Sequence, residues 1–288
     1  MSFFKRLLGM EVESAVQDVV MPGEEPLDTG PTLEVGQATH IGKVRKQNQD
    51  AFFTLKATLS RDGETFPFGL FLVADGMGGQ KGGGIASGLT ARVAAEAVLR
   101  EFYLPWLASD SDEGAAQRPI SEVILEAANE ANLAVHRLAP PEAGTTLTCA
   151  LVQGTNAYIA HVGDSRAYLI RQGRLEQITQ DHSLLARLIE LGQISPEEAA
   201  SHPQKNVLYK AIGQGSTLEV DFYLKSLPAN SYLLLCSDGL WGYVSEERIA
   251  AIVREAPTPQ AACQQLVQQA NAAGGEDNIT VILVQVKG

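Results

Sequence analysis

The stretch Thr145–Ile178, TTLTCALVQGTNAYIAHVGDSRAYLIRQGRLEQI, decides the fold. It reads as four strands, Thr145–Gln153, Asn156–Val162, Arg166–Arg171 and Leu175–Ile178, separated by short turns that carry Gly154, Gly163 and Gly173. Turns this short suit antiparallel neighbours, because a parallel pair needs a long crossover. Toward the N-terminus, Gly69–Ala74 (GLFLVA) is a continuous apolar run of strand length, the signature of a buried strand. Two helical patterns follow it. Ile85–Tyr103 sets Ile85, Leu89, Val93 and Ala97 on one face, and Ile120–Leu138 repeats the spacing with Ile120, Val123, Ile124, Ala127 and Ala131. Between them, Leu104–Pro119 reads as a loop, with Pro105 and Pro119 near its edges and SDSDEG in its middle. Toward the C-terminus, helices are expected at Ser183–Leu191 and Pro196–Ala200, then strands at Leu218–Leu224 and Ser231–Cys236. Two more helices, Glu246–Arg254 and Pro259–Ala273, precede a last strand, Ile279–Val286. Helices thus come in pairs between groups of strands. That predicts an α+β fold, an antiparallel β-sandwich flanked by helix pairs, over an alternating parallel sheet. No GxGxxG or GxxxxGK[ST] run supports a nucleotide fold.

Composition excludes several function classes. Lys plus Arg number 22 against 34 Asp plus Glu, a formal charge of −12, so a long-range electrostatic grip on nucleic acid is not expected. No run of eighteen apolar residues exists, and no membrane span is expected. The cysteines Cys149, Cys236 and Cys263 fit neither a zinc spacing nor a secreted disulfide framework, which points to a reducing, cytoplasmic setting. Residues 1–32 read as a tail and linker. Met1–Met10 (MSFFKRLLGM) is a poor secretory signal, although Phe3, Phe4, Leu7 and Leu8 could form an amphipathic turn that touches a membrane or a partner. The acidic segment after it carries Pro22, Gly23, Pro26, Gly30 and Pro31. One folded domain is expected over 33–288.

Aspartates recur at the ends of the apolar runs. Asp75 follows GLFLVA, Asp164 follows YIAHVG and Asp238 follows YLLLCS; Asp277 precedes NITVILVQV and Asp50 precedes AFFTL. Asp-Gly is also a turn signal, so any one of them alone could be a turn residue. If the five ends converge, two carboxylates ~4 Å apart repel by roughly 4 kcal/mol at an effective dielectric near 20. Protons or cations must then hold the cluster together. An all-oxygen donor set suits Mg²⁺ or Mn²⁺ rather than zinc. Gly76, without a side chain, lets its carbonyl approach an ion. Such ion pairs are a common device for hydrolysing phosphate esters, because they polarise the phosphoryl group and lower the pKa of water. Arg45, in GKVRKQNQD, can grip phosphate oxygens through two parallel hydrogen bonds, or simply belong to a solvated basic loop with Lys43 and Lys46.

The order of these motifs resembles that of bacterial type-2C metal-dependent Ser/Thr protein phosphatases. The motifs are GKVRKQNQDA (Gly42–Ala51), VADGMGG (Val73–Gly79), GTTLTCAL (Gly144–Leu151), HVGDSRAYL (His161–Leu169), ITQDHSL (Ile178–Leu184), LCSDGLW (Leu235–Trp241) and GGEDNITV (Gly274–Val281). The resemblance implies a four-layer α-β-β-α sandwich with a metal cleft at one end. It implies two core Mg²⁺ or Mn²⁺ ions and a third, weaker one. Asp75 would bridge the core pair and act with Arg45 in catalysis. Asp238 and Asp277 would complete the first ion's shell, Asp50 and the Gly76 carbonyl would serve the second, and Asp164 would hold the third. Arg45 would bind the substrate phosphate, and a flap over about 181–205 would influence substrate choice. The implied partners are phosphorylated proteins, substrates of Ser/Thr kinases, and the chain is expected to be a monomer. Four positions depart from the pattern. Gln49 stands where many relatives have Glu, Gln80 and Gly84 replace a His and a Glu, and Met77 occupies the place of a histidine proposed as general acid in animal relatives. A thioether cannot donate a proton.

The histidines are read mainly as structural, with His202 in the flap only a remote candidate for protonating the leaving group. His161, inside an apolar strand, is expected to be a hydrogen-bonded core residue, and His182 sits where Asp181 or Ser183 caps a helix. Trp241 is read as core packing and the cysteines as small buried apolar residues. The functional expectation is metal-dependent hydrolysis of phosphoserine or phosphothreonine in proteins. The rivals are a non-catalytic phosphoprotein-binding domain of the same fold and a phosphatase for one small phosphorylated metabolite.

Overall fold

A computed structural model describes residues 30–61, 64–79, 81–108, 118–200, 202–204 and 207–288. The tail and linker over 1–29, the SDSDEG segment, Gln80 and parts of the flap, Ser201 and Lys205 among them, lie outside the described residues. The chain runs β1 (Thr32–His40), β2 (Asp50–Arg61), β3 (Glu64–Met77), α1 (Gly82–Val98), a wide π-type turn over Leu99–Tyr103, α2 (Leu104–Ala108) and α3 (Ile120–Leu138). It continues through β4 (Gly144–Thr145), β5 (Leu147–Gln153), β6 (Asn156–Val162), β7 (Arg166–Arg171), β8 (Arg174–Gln177), α4 (Leu184–Glu190) and α5 (Pro196–Ala200). It ends with β9 (Asp221–Ser226), β10 (Ser231–Cys236), α6 (Asp238–Trp241), α7 (Glu246–Glu255), α8 (Pro259–Ala272) and β11 (Ile279–Lys287).

Two sheets form, in the orders β1-β11-β10-β7-β8 and β2-β3-β5-β6-β9, with β4 paired to β3. The pairings are antiparallel, as the short turns predict. Strand alternation explains the continuous apolar runs. In β3, Phe71 and Val73 face the other sheet, where they meet Leu233, Leu235, Ile282 and Val284. Leu70, Leu72 and Ala74 face outward against α1 and α3. In the first sheet, Leu234, Cys236, Val281 and Leu283 face α7 and α8. Both faces of the central strands are therefore covered, and the four layers are α-β-β-α. The helices start on local signals. Ser245 and Thr258 cap α7 and α8 by accepting from Arg248 N and Ala261 N, and Pro259 occupies the first turn of α8.

Several expectations need correction. The first helix does not bury Ile85, which is 47% exposed; its buried stripe is Ala86, Thr90, Ala94, Ala97 and Val98. Small residues let the helix lie close to the sheet. The helical geometry begins at Gly82 and passes into the wide turn at Leu99. Leu104–Ala108, expected in a loop, is the short helix α2, with Pro105 in its first turn, where no intrahelical N–H is required. The strand expected over Thr145–Gln153 is broken at Thr146 into β4 and β5, and the strand expected over Leu218–Leu224 begins only at Asp221. Among the described residues no helix is long and apolar enough to cross a membrane.

Candidate metal centre and active site

The five aspartates converge. Asp50 opens β2 and pairs directly across from Asp75 near the end of β3, so both lie inside the ladder rather than beyond it. Residues opposite each other in an antiparallel pair hold their Cβ atoms about 5 Å apart. Asp164 lies between β6 and β7, Asp238 opens α6 after β10, and Asp277 precedes β11. A cleft of about 560 Å³ is lined by Asp75, Gly76, Asp164, Asp238 and Asp277, with Arg45 on its rim; Asp50 sits behind this lining.

A lattice of hydrogen bonds fixes Asp50, Asp75, Asp164 and Asp277. Asp75 N–H donates to Thr146 Oγ1 at 2.9 Å, and its carbonyl accepts from Thr145 Oγ1 at 2.7 Å and Thr146 N at 2.9 Å. Asp50 Oδ2 accepts from Ser237 Oγ at 2.8 Å. The Asp164 carbonyl accepts from Trp241 Nε1 at 2.9 Å. Asp277 Oδ2 accepts from Arg45 Nη2 at 2.5 Å, and its Oδ1 accepts from Asn278 N at 2.8 Å. Gly76 is required for packing as well as for any approach of its carbonyl to an ion. A Cβ there would lie 2.2 Å from Gly83 O and 2.6 Å from Gln49 O, so β3 and the start of α1 touch backbone to backbone.

Electrostatically the cluster is under tension. Burial pushes Asp50 up to about 7, against hydrogen bonds from Thr280 and Ser237 and with the charges of Asp238 and Asp277 adding to the rise. Burial, and then the Asp277 charge, push Asp238 up to about 6, against a hydrogen bond with Asp75 and the Arg45 charge. Asp75 and Asp164 are driven well above the carboxylate range, first by burial and then by neighbouring carboxylates. Asp50 Oδ1 and Asp238 Oδ1 are buried without a hydrogen-bond partner. An orphaned anionic oxygen inside a protein calls for a proton or a cation. Among the described residues no three His, Cys, Asp or Glu side chains close on one point as a ready cage. That openness fits hard cations that complete their shells with several waters, as Mg²⁺ does.

Reading the sequence missed the residues that hold the acids. Asn278, 3% exposed, accepts from Gln49 N at 2.7 Å and donates to Ile41 O at 2.9 Å and Gln47 O at 3.0 Å, which ties down the Arg45 loop. Thr146 and Ser237 have comparable roles; Ser237 adjoins Asp238, whereas Thr146 stands in a motif without an acid, 71 positions from the Asp75 that it holds. Trp241, expected as core packing, does pack against the core under α7 and α8 although partly exposed, and it also bonds the Asp164 backbone. Other expectations hold. His161 is fully buried and bonded to Thr148 Oγ1 and Gln180 O, Ser183 caps α4, and the three cysteines are buried thiols. Gln49 lines the cleft, and its Nε2 donates to Gly79 O at 3.1 Å.

The sequence matches the protein phosphatase 2C family over residues 37–272. Protein phosphatase PhpP of Streptococcus pneumoniae serotype 2 is 37% identical over 258 residues, which span 88% of this chain and 98% of that protein. The Mycobacterium tuberculosis serine/threonine phosphatase PstP/Ppp superposes with a TM-score of 0.74 at 31% identity, covering 89% of this chain and 99% of that one. A catalytic domain of PstP solved in complex with two manganese ions superposes with a TM-score of 0.73 at 29% identity, covering 90% of this chain and 100% of that one. The four-layer sandwich thus has counterparts among solved structures, and the chain belongs to the protein phosphatase 2C family of Ser/Thr phosphatases.

Proposed function

We propose that this chain hydrolyses phosphoserine and phosphothreonine in proteins with two Mg²⁺ or Mn²⁺ ions at its cleft and a third bound more weakly. The observation that carries the reading is the cluster of five aspartates at one end of the sandwich, two of them with orphaned buried oxygens, beside Arg45. The metal-bound PstP domain supports it. Asp75, Asp238 and Asp277 would hold one core ion, Asp75, Asp50 and the Gly76 carbonyl the other, and Asp164 would hold the third. When bound, the cations supply Lewis acidity toward phosphoryl oxygens and lower the pKa of water.

The chain's own residues do the rest. Arg45 stands half-exposed at the cleft mouth and offers its guanidinium fork to the phosphate. Its bond to Asp277 aims it and keeps the phosphate beside the acids. Asn278 holds the loop that carries Arg45. Met77 lines the cleft and has no proton to give, and among the described residues the lining holds no His, Tyr or Cys. The leaving serine or threonine oxygen therefore takes its proton from water or from another group. The catalytic domain is 33–288, with a tail over 1–32 and a flap over about 181–205 that influences substrate choice. The phosphatase acts as a monomer in the cytoplasm on products of Ser/Thr kinases.

The test is turnover of a phosphothreonine peptide by the full chain in excess chelator and after Mn²⁺ is restored. Loss and recovery of hydrolysis are expected; undiminished turnover in chelator would refute the metal mechanism. Free phosphoserine assayed beside the peptide separates a protein phosphatase from one for a small metabolite.

A further inference from the structure

Outside the metal cluster, a part-buried polar assembly surrounds Arg166. Its Nε and Nη2 donate to the two oxygens of Asp181 at 2.9 and 2.7 Å, and its Nη1 donates to Tyr168 OH at 2.9 Å. Its guanidinium carbon lies 3.5 Å from the centre of the Trp241 ring. Trp241 Nε1 in turn donates to the Asp164 carbonyl at 2.9 Å. Three segments of different origin meet in this one stack: Asp181 begins the flap, Asp164 lies between β6 and β7, and Trp241 closes the single-turn helix α6 that Asp238 opens. A second fastening runs beside it. His182 N donates to Gly163 O at 2.7 Å, and Gly163 N donates to His182 Nδ1 at 3.1 Å. Gly163 takes a φ of +106°, open to glycine and strained for other residues, and a Cβ there would lie 2.6 Å from Thr146 Cγ2. The Asp164 backbone is thus gripped from the flap side and from the α6 side.

We propose that Arg166 and Trp241 are positioning residues that set the Asp164 carboxylate relative to Asp238 and tie it to the flap root. A purely structural pair would need only the buried Arg166–Asp181 bridge. The indole adds something that bridge does not require, a directed N–H bond onto the backbone of an acid that faces the cleft. The inference rests on the reading that Asp164 holds the weak third ion. The class of ligand concerned is a divalent cation with oxygen ligands.

The experiment is a calorimetric titration of Mn²⁺ into the full chain as wild type, Asp164→Asn and Trp241→Phe. Arg166→Gln is avoided, because it strips the partner from a nearly buried carboxylate and threatens the fold. Trp241→Phe keeps an aromatic ring under the guanidinium and removes the N–H together with part of the indole. The expected result has three parts. The wild type shows a weak binding step beyond the two strong ones. Asp164→Asn abolishes the weak step. Trp241→Phe weakens it about five-fold, the size a single neutral hydrogen bond supports, while the strong steps stay in place. A weak step in Trp241→Phe within about two-fold of wild type, alongside its loss in Asp164→Asn, overturns the inference and leaves the third-ion reading standing. Equal weakening of every step in Trp241→Phe also overturns it, as general loosening. An unchanged titration in Asp164→Asn overturns both the reading and the inference.

Discussion

Replacing Asn278 by Ala tests whether the phosphate-binding arm is held as described. The Asn278 side chain makes three hydrogen bonds, from Gln49 N and to Ile41 O and Gln47 O, in a site 3% exposed. At about 1 kcal/mol net for each bond, Asn278→Ala removes about 3 kcal/mol. For a chain of this size that is a fall of about 6–12 °C in melting temperature. The loop released is the one that carries Arg45, so KM for a phosphopeptide should rise while the acids stay in place. A double-mutant cycle with Arg45→Ala separates this from general damage. If Asn278 acts through Arg45, its effect on KM disappears once Arg45 is gone. The assay is initial-rate kinetics on a phosphothreonine peptide at saturating Mn²⁺, with thermal melts on the same samples. A melting temperature within about 2 °C of wild type, or an equal rise in KM with and without Arg45, would refute the reasoning.

Asp75→Asn should lower kcat/KM by more than about 100-fold, since loss of a residue that merely supports a ligand already costs 10–100-fold. The same change should raise the melting temperature of the metal-free protein, because it removes a buried carboxylate crowded by others; a fall would contradict the electrostatic account. In metal-free protein, folding holds Asp50 near 7 and Asp238 near 6, above the roughly 4 of an unfolded aspartate. The folded state binds these protons more tightly, so their stabilisation is full below about pH 4 and is lost as pH rises through 6 and 7. Chelator-treated protein should therefore melt progressively lower from pH 5 to 8, and Asp50→Asn should flatten that slope. Gly76→Ala drives a Cβ into two backbone oxygens that cannot turn aside, and should cost more than about 2 kcal/mol in urea denaturation; a midpoint equal to wild type would show that β3 and α1 are less closely packed.

What the sequence discloses follows from the range of each interaction. The strands around Phe71–Val73 and Leu233–Leu235 were legible because helices cover one face and the second sheet the other, leaving no polar alternation. The helix α3 was legible because its apolar spacing is its buried stripe. The buried face of α1 was not, because close packing against the sheet selects Ala86, Ala94 and Ala97, while the larger Ile85 faces solvent. The five acids stood out because each adjoins an apolar run, and the motif order carried their grouping. Their supports did not stand out. Asn278 reaches Ile41 across 237 positions and Ser237 reaches Asp50 across 187, and a single polar side chain gives no local sign of so distant a partner. The pairing of Asp50 with Asp75 depends on the register of a long hairpin, which apolar patterning alone leaves open.

The central claim is that aspartates from five separate segments share divalent cations. Anomalous diffraction at the manganese edge from crystals of the full chain grown with Mn²⁺ tests it most directly. The account predicts two strong peaks joined through Asp75, one reached by Asp238 and Asp277 and the other by Asp50 and the Gly76 carbonyl. Well-ordered carboxylates with no anomalous peak between Asp75 and Asp238 would contradict it.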